Sequence, residues 1–239
     1  MRSILCVFFL LFSLFMNSQN IKINYKTKVV DLRKSENEAS ILAFEDNTLI
    51  SSPTKSLYSG VKMDTIIELP GETFKNVKDS LSEILFKDLI EKTIFSKKFG
   101  PKKMIVKEES YAVNWKIIDN YKTILGYKTQ EAKGSFRGRN YSVFFCPDLP
   151  YRTGPYKFDG LPGVILEVVS DDNKVNIKAY SINLNSKEKI ENPYAGYPTV
   201  SWKEYNKRFN AFADRFRRAM EDEGGSSANI TNKSIELTE

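Results

Sequence analysis

Residues 154–167 read GPYKFDGLPGVILE, a segment rich in glycine and proline that runs directly into apolar residues. Proline restricts its own φ and glycine tolerates positive φ, so Pro162-Gly163 is typical of the centre of a type II turn. Leu161 precedes this proline and is therefore expected to be extended. The segment predicts a loop with one defined backbone path, followed by a β-strand over Val164–Val169. The residues that we expect to shape this loop are Gly154, Pro155, Gly160, Leu161, Pro162 and Gly163.

Strands and short turns account for most of the rest of the chain. In Ile21–Val30 apolar residues alternate with lysine and asparagine, as in a strand that is buried on one face. Residues 102–184 read as one strand after another, and Val164–Val169 forms a hairpin with Val175–Ile182 through a turn at 171–173. These short connections predict an antiparallel meander, and the lack of strand-helix-strand alternation argues against a parallel sheet.

Asp-Asn pairs and glycines predict where several turns lie. Asp46-Asn47 is expected to interrupt a second strand within residues 40–50. Asp119-Asn120 is expected to form a turn that leads to a strand over Thr123–Ala132. Another short turn is expected over Gly134–Gly138, before the next strand begins.

Two segments have the periodicity of amphipathic helices. In Phe74–Ile94 the apolar residues recur at spacings of three and four, and Lys87 belongs to the charged face of that pattern. This segment is expected to cover a sheet face, with a mobile lid as the alternative. The second helix begins at Ser201, which forms a Ser-x-x-Glu capping box with Glu204, and is expected to end at Gly224-Gly225.

The second helix carries an aromatic stripe from Trp202 to Phe216. Packing over the open side of the sheet is the simpler interpretation of this stripe. Because the helix is also rich in lysine and arginine, docking to a partner or to a membrane surface is the alternative. Together these patterns predict a mainly β (α+β) fold: a curved antiparallel sheet, shaped as a bowl or half-barrel and covered by one or two helices.

The N-terminus is typical of an export signal. Arg2 precedes an apolar run over Ile4–Met16, which is shorter than the roughly 20 residues that a membrane helix needs. We expect cleavage near Gln19, and an uncleaved membrane anchor is the alternative. Residues 20–224 are then expected to form a single β-rich domain that is periplasmic or secreted. The polar segment 225–239 is expected to be a disordered tail.

The run Gly160–Ile165 resembles the signature of the GLPGLI family, which comprises extracytoplasmic Bacteroidetes proteins of unknown function; Val164 replaces the usual leucine. Other segments extend the resemblance over residues 115–180. They are Trp115-Lys116-Ile117, Ile124–Lys128, Glu131-Ala132, Phe136–Arg139 and Gly154–Phe158. The resemblance implies an exported protein and brings no catalytic residues. The family is also similar to a bowl-like β domain placed ahead of a secreted glycoamidase, but that similarity brings no glycoamidase active site.

Composition excludes several kinds of catalytic site. The chain contains no histidine, which removes Ser-His-Asp and Cys-His catalysis and the usual zinc sites. After cleavage Cys146 is the one remaining cysteine, and its apolar neighbours indicate an inert buried thiol. No metal and no cofactor are expected. The formal net charge of +6 suits solubility or binding to anionic glycans or lipid headgroups, and no pattern specific for nucleic acid is present.

Three groups of residues are candidate binding or catalytic sites. Arg137, Arg139 and Arg152 lie near the central loop and could bind a carboxylate or phosphate, unless they are solvated charges at turns. Glu167 lies among apolar residues of one strand and could anchor a ligand, unless it forms a cross-strand pair with Lys178.

Asp148 and Asp159 flank the loop. Two carboxylates in such positions could act on a glycosidic bond or bind calcium, although aspartate is also common in turns.

We expect a non-enzymatic module that binds an apolar, peptide or glycan ligand, or an envelope partner, because a curved sheet has a concave face. This hypothesis predicts an apolar cavity with few charges. The first alternative is a hydrolase, which predicts that Asp148, Asp159 and Glu167 converge in a cleft. The second is a structural envelope protein, which predicts that the stripe over Trp202–Phe216 is exposed.

Overall fold

The computed structural model describes residues 20–31, 41–61, 65–69, 72–76, 84–98, 102–109 and 113–222. The expected signal peptide, the expected tail and the glycine pair predicted to end the last helix lie outside these residues. The described part of the chain confirms the mainly β fold, with one helix packed on a curved sheet.

Fourteen β-strands and one α-helix make up the described part of the chain. The strands are β1 (Asn20–Asp31), β2 (Ile41–Ser51), β3 (Lys55–Val61), β4 (Thr65–Leu69), β5 (Glu72–Asn76), β6 (Ile84–Asp88), β7 (Thr93–Lys98), β8 (Met104–Glu109), β9 (Lys116–Ile124), β10 (Tyr127–Phe136), β11 (Arg139–Cys146), β12 (Val164–Ser170), β13 (Val175–Ser186) and β14 (Thr199–Ser201). The helix, α1, covers Trp202–Asp222.

Twelve of the strands form one open, curved sheet in the order β14-β8-β7-β6-β3-β2-β1-β13-β12-β11-β10-β9, and β4 pairs with β5 separately. The large sheet consists of two antiparallel meanders, one on each side of the β1–β13 pair. That pair extends from Asn20 opposite Ser186 to Val29 opposite Val175. β14 extends the sheet by pairing parallel to β8. The predicted meander over residues 102–184 is therefore confirmed for β9 to β13.

β1 lies in the middle of the sheet and alternates as its sequence predicts. Ile21, Ile23 and Tyr25 are fully buried, whereas Lys26 and Lys28 are exposed. Burial of each large apolar side chain stabilises the fold by about 1.5–3 kcal/mol. The two meanders therefore share one core at the strand that joins them.

Helix α1 covers the end of the sheet formed by β8 and β14. Its predicted N-cap is confirmed, because the Ser201 hydroxyl accepts a hydrogen bond of 3.1 Å from the Glu204 backbone N–H. Its apolar residues pack on the sheet in a small cluster of Met104, Val106, Tyr205, Phe209 and Ala213. The described part of the aromatic stripe therefore faces the sheet. Across the described residues, no helix is both long enough and apolar enough to cross a membrane.

The helix predicted over Phe74–Ile94 is wrong wherever the chain is described; residues 77–83 lie outside that part. Strand β5 ends at Asn76, and β6 and β7 form a hairpin whose turn contains Lys92 at a φ of 50°. β6 pairs with β3 on its other side, so neighbouring strands satisfy its backbone. Short apolar runs fit either type of element, and the partners that decide between them are distant in sequence.

Two predicted turns are also wrong, because strands run through them. Asp46-Asn47 lies inside β2, where the Asn47 side chain accepts a hydrogen bond from the Thr27 hydroxyl of β1. Asp119-Asn120 lies inside β9, and the real turn follows at Leu125-Gly126. The turn expected over residues 134–138 is the two-residue turn Arg137-Gly138. All four residues of these two turns have positive φ, as a type I′ hairpin requires.

Candidate functional site

The central loop, residues 147–163, lies inside the curve of the sheet. Phe158 is fully buried, and its ring centroid lies 4.8 Å from that of Tyr141 and 5.3 Å from that of Phe136. On the other side of the loop, Thr153 donates a hydrogen bond of 3.4 Å to Ser56 of β3. The loop therefore contacts both meanders, and its packed side chains take up part of the space on that face of the sheet.

The glycines of the central loop are required for two different reasons. Gly160 has a φ of +91°, which favours glycine. Gly163 does not have positive φ, so the predicted type II turn at Pro162-Gly163 is wrong. At Gly163 the constraint is space, because a Cβ atom would lie 2.1 Å from the carbonyl oxygen of Cys146. The Cys146 thiol is buried, and burial raises its pKa, as expected for an inert cysteine.

Lys87 ties β6 to the central loop. Its ammonium group donates hydrogen bonds of 3.2 Å to the carbonyl oxygens of Gly154 and Phe158, and lies 3.9 Å from the Asp159 carboxylate. The side chain is 0% exposed. Burial lowers the pKa of Lys87 to about 8, and the nearby Asp159 charge opposes this shift. Burial also raises the pKa of Asp159, against the effect of Lys87.

Glu108 of β8 contacts both the β10–β11 turn and the central loop. Its two carboxylate oxygens lie 2.6 Å from Arg137 Nη2 and 2.6 Å from Lys157 Nζ. Arg137 belongs to the β10–β11 turn and Lys157 to the central loop. The Trp202 ring of α1 lies 4.3 Å from each cation, measured to the ring centroid. This buried group therefore joins four elements: β8, the β10–β11 turn, the central loop and α1.

The four residues that we proposed as ligand-binding candidates occupy separate places. Arg137 pairs with Glu108, and Arg139 donates a hydrogen bond of 3.1 Å to Asp172 in the β12–β13 turn. Arg152 is exposed in the central loop. Glu167 pairs with Lys122 of β9 and lies 3.8 Å from Lys178, its cross-strand neighbour. The predicted Glu167–Lys178 pair is thus present. The three buried candidates, Arg137, Arg139 and Glu167, contact different elements of the fold.

The expected convergence of carboxylates is also not seen. Asp159 is next to Lys87, Glu167 is next to Lys122, and Asp148 is exposed at the start of the loop. Among the described residues, no group of three or more cysteine, aspartate or glutamate side chains could hold a metal ion. Two of the three carboxylates that the hydrolase hypothesis names are therefore next to lysines, and the third is exposed.

A groove of about 590 Å³ lies where β8 and β14 meet α1. We call it the basic groove. Four cationic residues line it, and none of its lining residues among those described is acidic. The cations are Lys97 at the end of β7, Lys102 and Lys103 before β8, and Arg208 on α1.

Aromatic residues and prolines complete the walls of the basic groove. Tyr197 is 63% exposed and is followed by Pro198. Tyr194 is buried, and its hydroxyl donates a hydrogen bond of 2.8 Å to the carbonyl oxygen of Ile84. The turn between these tyrosines contains Gly196 at a φ of +79°. The wall is therefore anchored to β6 at one side and presents an aromatic surface to solvent at the other.

Arg208 is held at the groove by an ion pair within α1. Its Nε donates a hydrogen bond of 2.7 Å to Glu204, one turn earlier. This hydrogen bond is the main reason that the pKa of Glu204 lies below its usual value. The bond uses one of the five N–H donors of the guanidinium group.

Sequence reasoning pointed to the basic helix that carries Arg208 as a possible docking surface, but it did not single out the other residues of the basic groove. Lys97 and Lys102-Lys103 come from two lysine pairs that flank Phe99-Gly100-Pro101, which is a local charge signal. Arg208 lies on another element, more than a hundred positions later. The charge run could have indicated a basic hairpin, but the groove itself depends on where α1 packs.

Comparison with known proteins yields a structural likeness. No model of a known protein family matches the chain, and no curated protein matches it. Two solved structures of PNGF-II, from different crystal forms, superimpose on it with TM-scores of 0.55 at 16% sequence identity. The likeness is one of fold. Each superposition covers 82% of this chain and only about one third of the PNGF-II chain, 33% and 34% respectively.

Proposed function

We propose that this chain is a non-enzymatic, extracytoplasmic β module that binds a ligand with acidic groups in the basic groove. The observation that carries the proposal is the groove itself, about 590 Å³ in volume with four cationic residues and no acidic residue in its described lining. Charges gathered in a concave site raise the local concentration of an oppositely charged ligand. The GLPGLI resemblance supports export, and membership of that family is part of the proposal.

The alternatives receive less support. A ligand in the bowl would share that space with the central loop, whose Phe158 and Lys157 are buried. A structural role through an exposed aromatic stripe conflicts with Tyr205 and Phe209, which are packed against β8. Of the carboxylates that the hydrolase hypothesis names, Asp159 and Glu167 are each next to a lysine and Asp148 is exposed. The basic groove is a formed concave site that the protein's own side chains leave open.

Titration of the isotope-labelled protein with trigalacturonate and with a triaspartate peptide tests this proposal, because NMR shift changes detect weak binding and locate it. We expect at least one probe to shift signals of groove residues, including Lys102 and Tyr197. A neutral trisaccharide should shift them much less. Higher ionic strength should weaken binding of the anionic probes, because screening reduces interactions between exposed charges.

A charge-reversal pair provides the control. Lys102→Glu with Lys103→Glu should weaken binding about tenfold or more, since it removes two attractive charges and adds two repulsive ones. Lys187→Glu with Lys189→Glu makes the same charge change at exposed positions outside the groove and should leave binding nearly unchanged. The proposal fails if neither anionic probe shifts groove signals, or if the two double variants weaken binding equally.

A further inference from the structure

The basic groove continues into a second concavity on helix α1. This shallower hollow has a volume of about 420 Å³ and is lined by Arg208, Ala211, Asp214, Arg215 and Arg218. Arg208 lines both concavities. The two concavities therefore adjoin at Arg208, and we call the surface that they form together the basic track.

The length and charge of the track indicate what kind of ligand it suits. Arg208 and Arg218 are ten positions apart, which corresponds to about 15 Å along a helix. The groove extends beyond Arg208 to the lysines before β8. Among the described lining residues of the track, one is acidic, Asp214, and six are cationic: Lys97, Lys102, Lys103, Arg208, Arg215 and Arg218. A small anion would contact one end of such a track, whereas a polyanion can neutralise charges along all of it.

From this geometry we infer that the ligand is an acidic polysaccharide chain, with uronate or sulfate groups, that lies along the basic track. The inference rests on the proposed function of the groove and extends it. Sugar rings have apolar C–H faces as well as polar edges, and Tyr197 and Pro198 offer them an exposed apolar surface between cationic residues. Lysine and arginine then pair with the acidic groups.

Other polyanions fit the described surface less well. Single-stranded nucleic acid binds on successive aromatic side chains, and among the described lining residues of the track Tyr197 is the exposed aromatic one. An acidic peptide that added a strand would need a long sheet edge, and β14 has three residues. A helix that lies on a membrane inserts its apolar face, which in α1 packs on β8.

The test is the dependence of affinity on chain length. Isothermal titration of the full chain with trigalacturonate and dodecagalacturonate should give an affinity at least about tenfold higher for the dodecamer, after correction for the number of binding registers. Arg215→Glu with Arg218→Glu should remove most of that gain and leave trigalacturonate binding nearly unchanged. Lys203→Glu with Lys207→Glu, on the same helix but outside both concavities, should preserve the gain.

The outcomes separate this inference from the proposal on which it rests. If trigalacturonate binds in the groove and the dodecamer gains nothing, the extended track is wrong and the groove stands. The same conclusion follows if the Arg215 and Arg218 changes leave the gain intact. If a polyaspartate or oligonucleotide of equal charge binds more tightly than the dodecamer, the polysaccharide assignment is wrong. Trigalacturonate that shifts no groove signal while triaspartate does would overturn the polysaccharide assignment alone.

Discussion

Lys87 is fully buried, which is unusual for a lysine side chain. Lysine is almost never fully buried without a partner. Here the amine finds three, namely two carbonyl oxygens of the central loop and the carboxylate of Asp159. A neutral amine still has two N–H groups, which match the two carbonyl acceptors. Burial disfavours the charged amine and lowers the pKa of Lys87 to about 8, while the Asp159 charge opposes the shift.

The free energy of unfolding should rise as the pH increases from about 8 towards 10.5. In that window the unfolded state still binds the Lys87 proton and the folded state has released it, so a higher pH favours the folded state. The contribution is at most about 3 kcal/mol over the whole window. Urea unfolding at several pH values measures it. Data should stop near pH 9, because burial also raises the pKa of Cys146 and of Tyr25, and each of these groups gives the opposite slope above its ordinary value.

Substitution identifies the source of this slope. Lys87→Met should be less stable at pH 7, because Asp159 loses its partner, and should lack most of the rise in stability. Lys116→Met, at an exposed position of β9, should retain the wild-type slope. An equal slope in the Lys87 variant would show that another group is responsible.

At the scale of elements, the central loop and β12 depend on contacts that glycine alone permits. Gly163 lies against the backbone of Cys146, at the end of β11, and Gly154 lies against Ile165 of β12. These close contacts pack the loop against β11 and β12, the two strands that it connects. The Tyr25 hydroxyl of β1 donates a hydrogen bond of 2.8 Å to the carbonyl oxygen of Ile165, which fixes the same region from the opposite meander.

Gly163→Ala should therefore be strongly destabilising. The added methyl group would lie 2.1 Å from a backbone oxygen that cannot rotate away, so we expect a loss of about 3 kcal/mol or more in the free energy of unfolding. Gly196→Ala is the comparison, because its φ is +79° and a Cβ atom there meets nothing within 4 Å. That variant should lose only about 1–2 kcal/mol, the cost of left-handed backbone for alanine. Chemical denaturation of both variants decides the point, and similar losses would contradict the steric explanation.

At the scale of the whole molecule, an open sheet is held in a curve by side chains. β8 lies near one end of the strand order and the β10–β11 turn near the other. Glu108 brings them together through Arg137, and Lys157 attaches the loop that they enclose. Trp202 covers both cations and links α1 to the same point. Among the described strands, backbone hydrogen bonds do not join the two ends of the sheet, so the contacts of Glu108 link parts of it that are far apart in the strand order.

Glu108→Gln should destabilise the protein by about 3–5 kcal/mol, because it leaves two buried cations without their carboxylate. Removal of the exposed Glu188 partner of Lys22, in Glu188→Gln, should cost about 1 kcal/mol or less. Thermal and urea unfolding of the two variants provide the comparison. Equal, small effects would mean that the Glu108 group does not stabilise the curved sheet.

Local patterns in the sequence determined the fold class of this protein and several of its secondary-structure elements. The alternation in β1, the β12–β13 hairpin, the capped helix α1 and the mainly β class follow from neighbours in the chain, because side-chain periodicity and capping act over a few residues. The pair of Glu167 with Lys178 could also be predicted, since a hairpin sets its own register. The absence of histidine follows from composition alone and excludes imidazole chemistry.

Tertiary structure alone decided the rest. Lys87 belongs to a strand and not to a helix because β3 and β7 lie beside it, and both its burial and its partners come from a loop far away in sequence. Position 163 requires glycine because the backbone of Cys146 lies too close for a Cβ atom, and not because of its φ. The basic groove exists because α1 brings Arg208 to lysines on a distant hairpin. Contacts between residues far apart in the chain leave no local pattern, so they could not be predicted from one sequence.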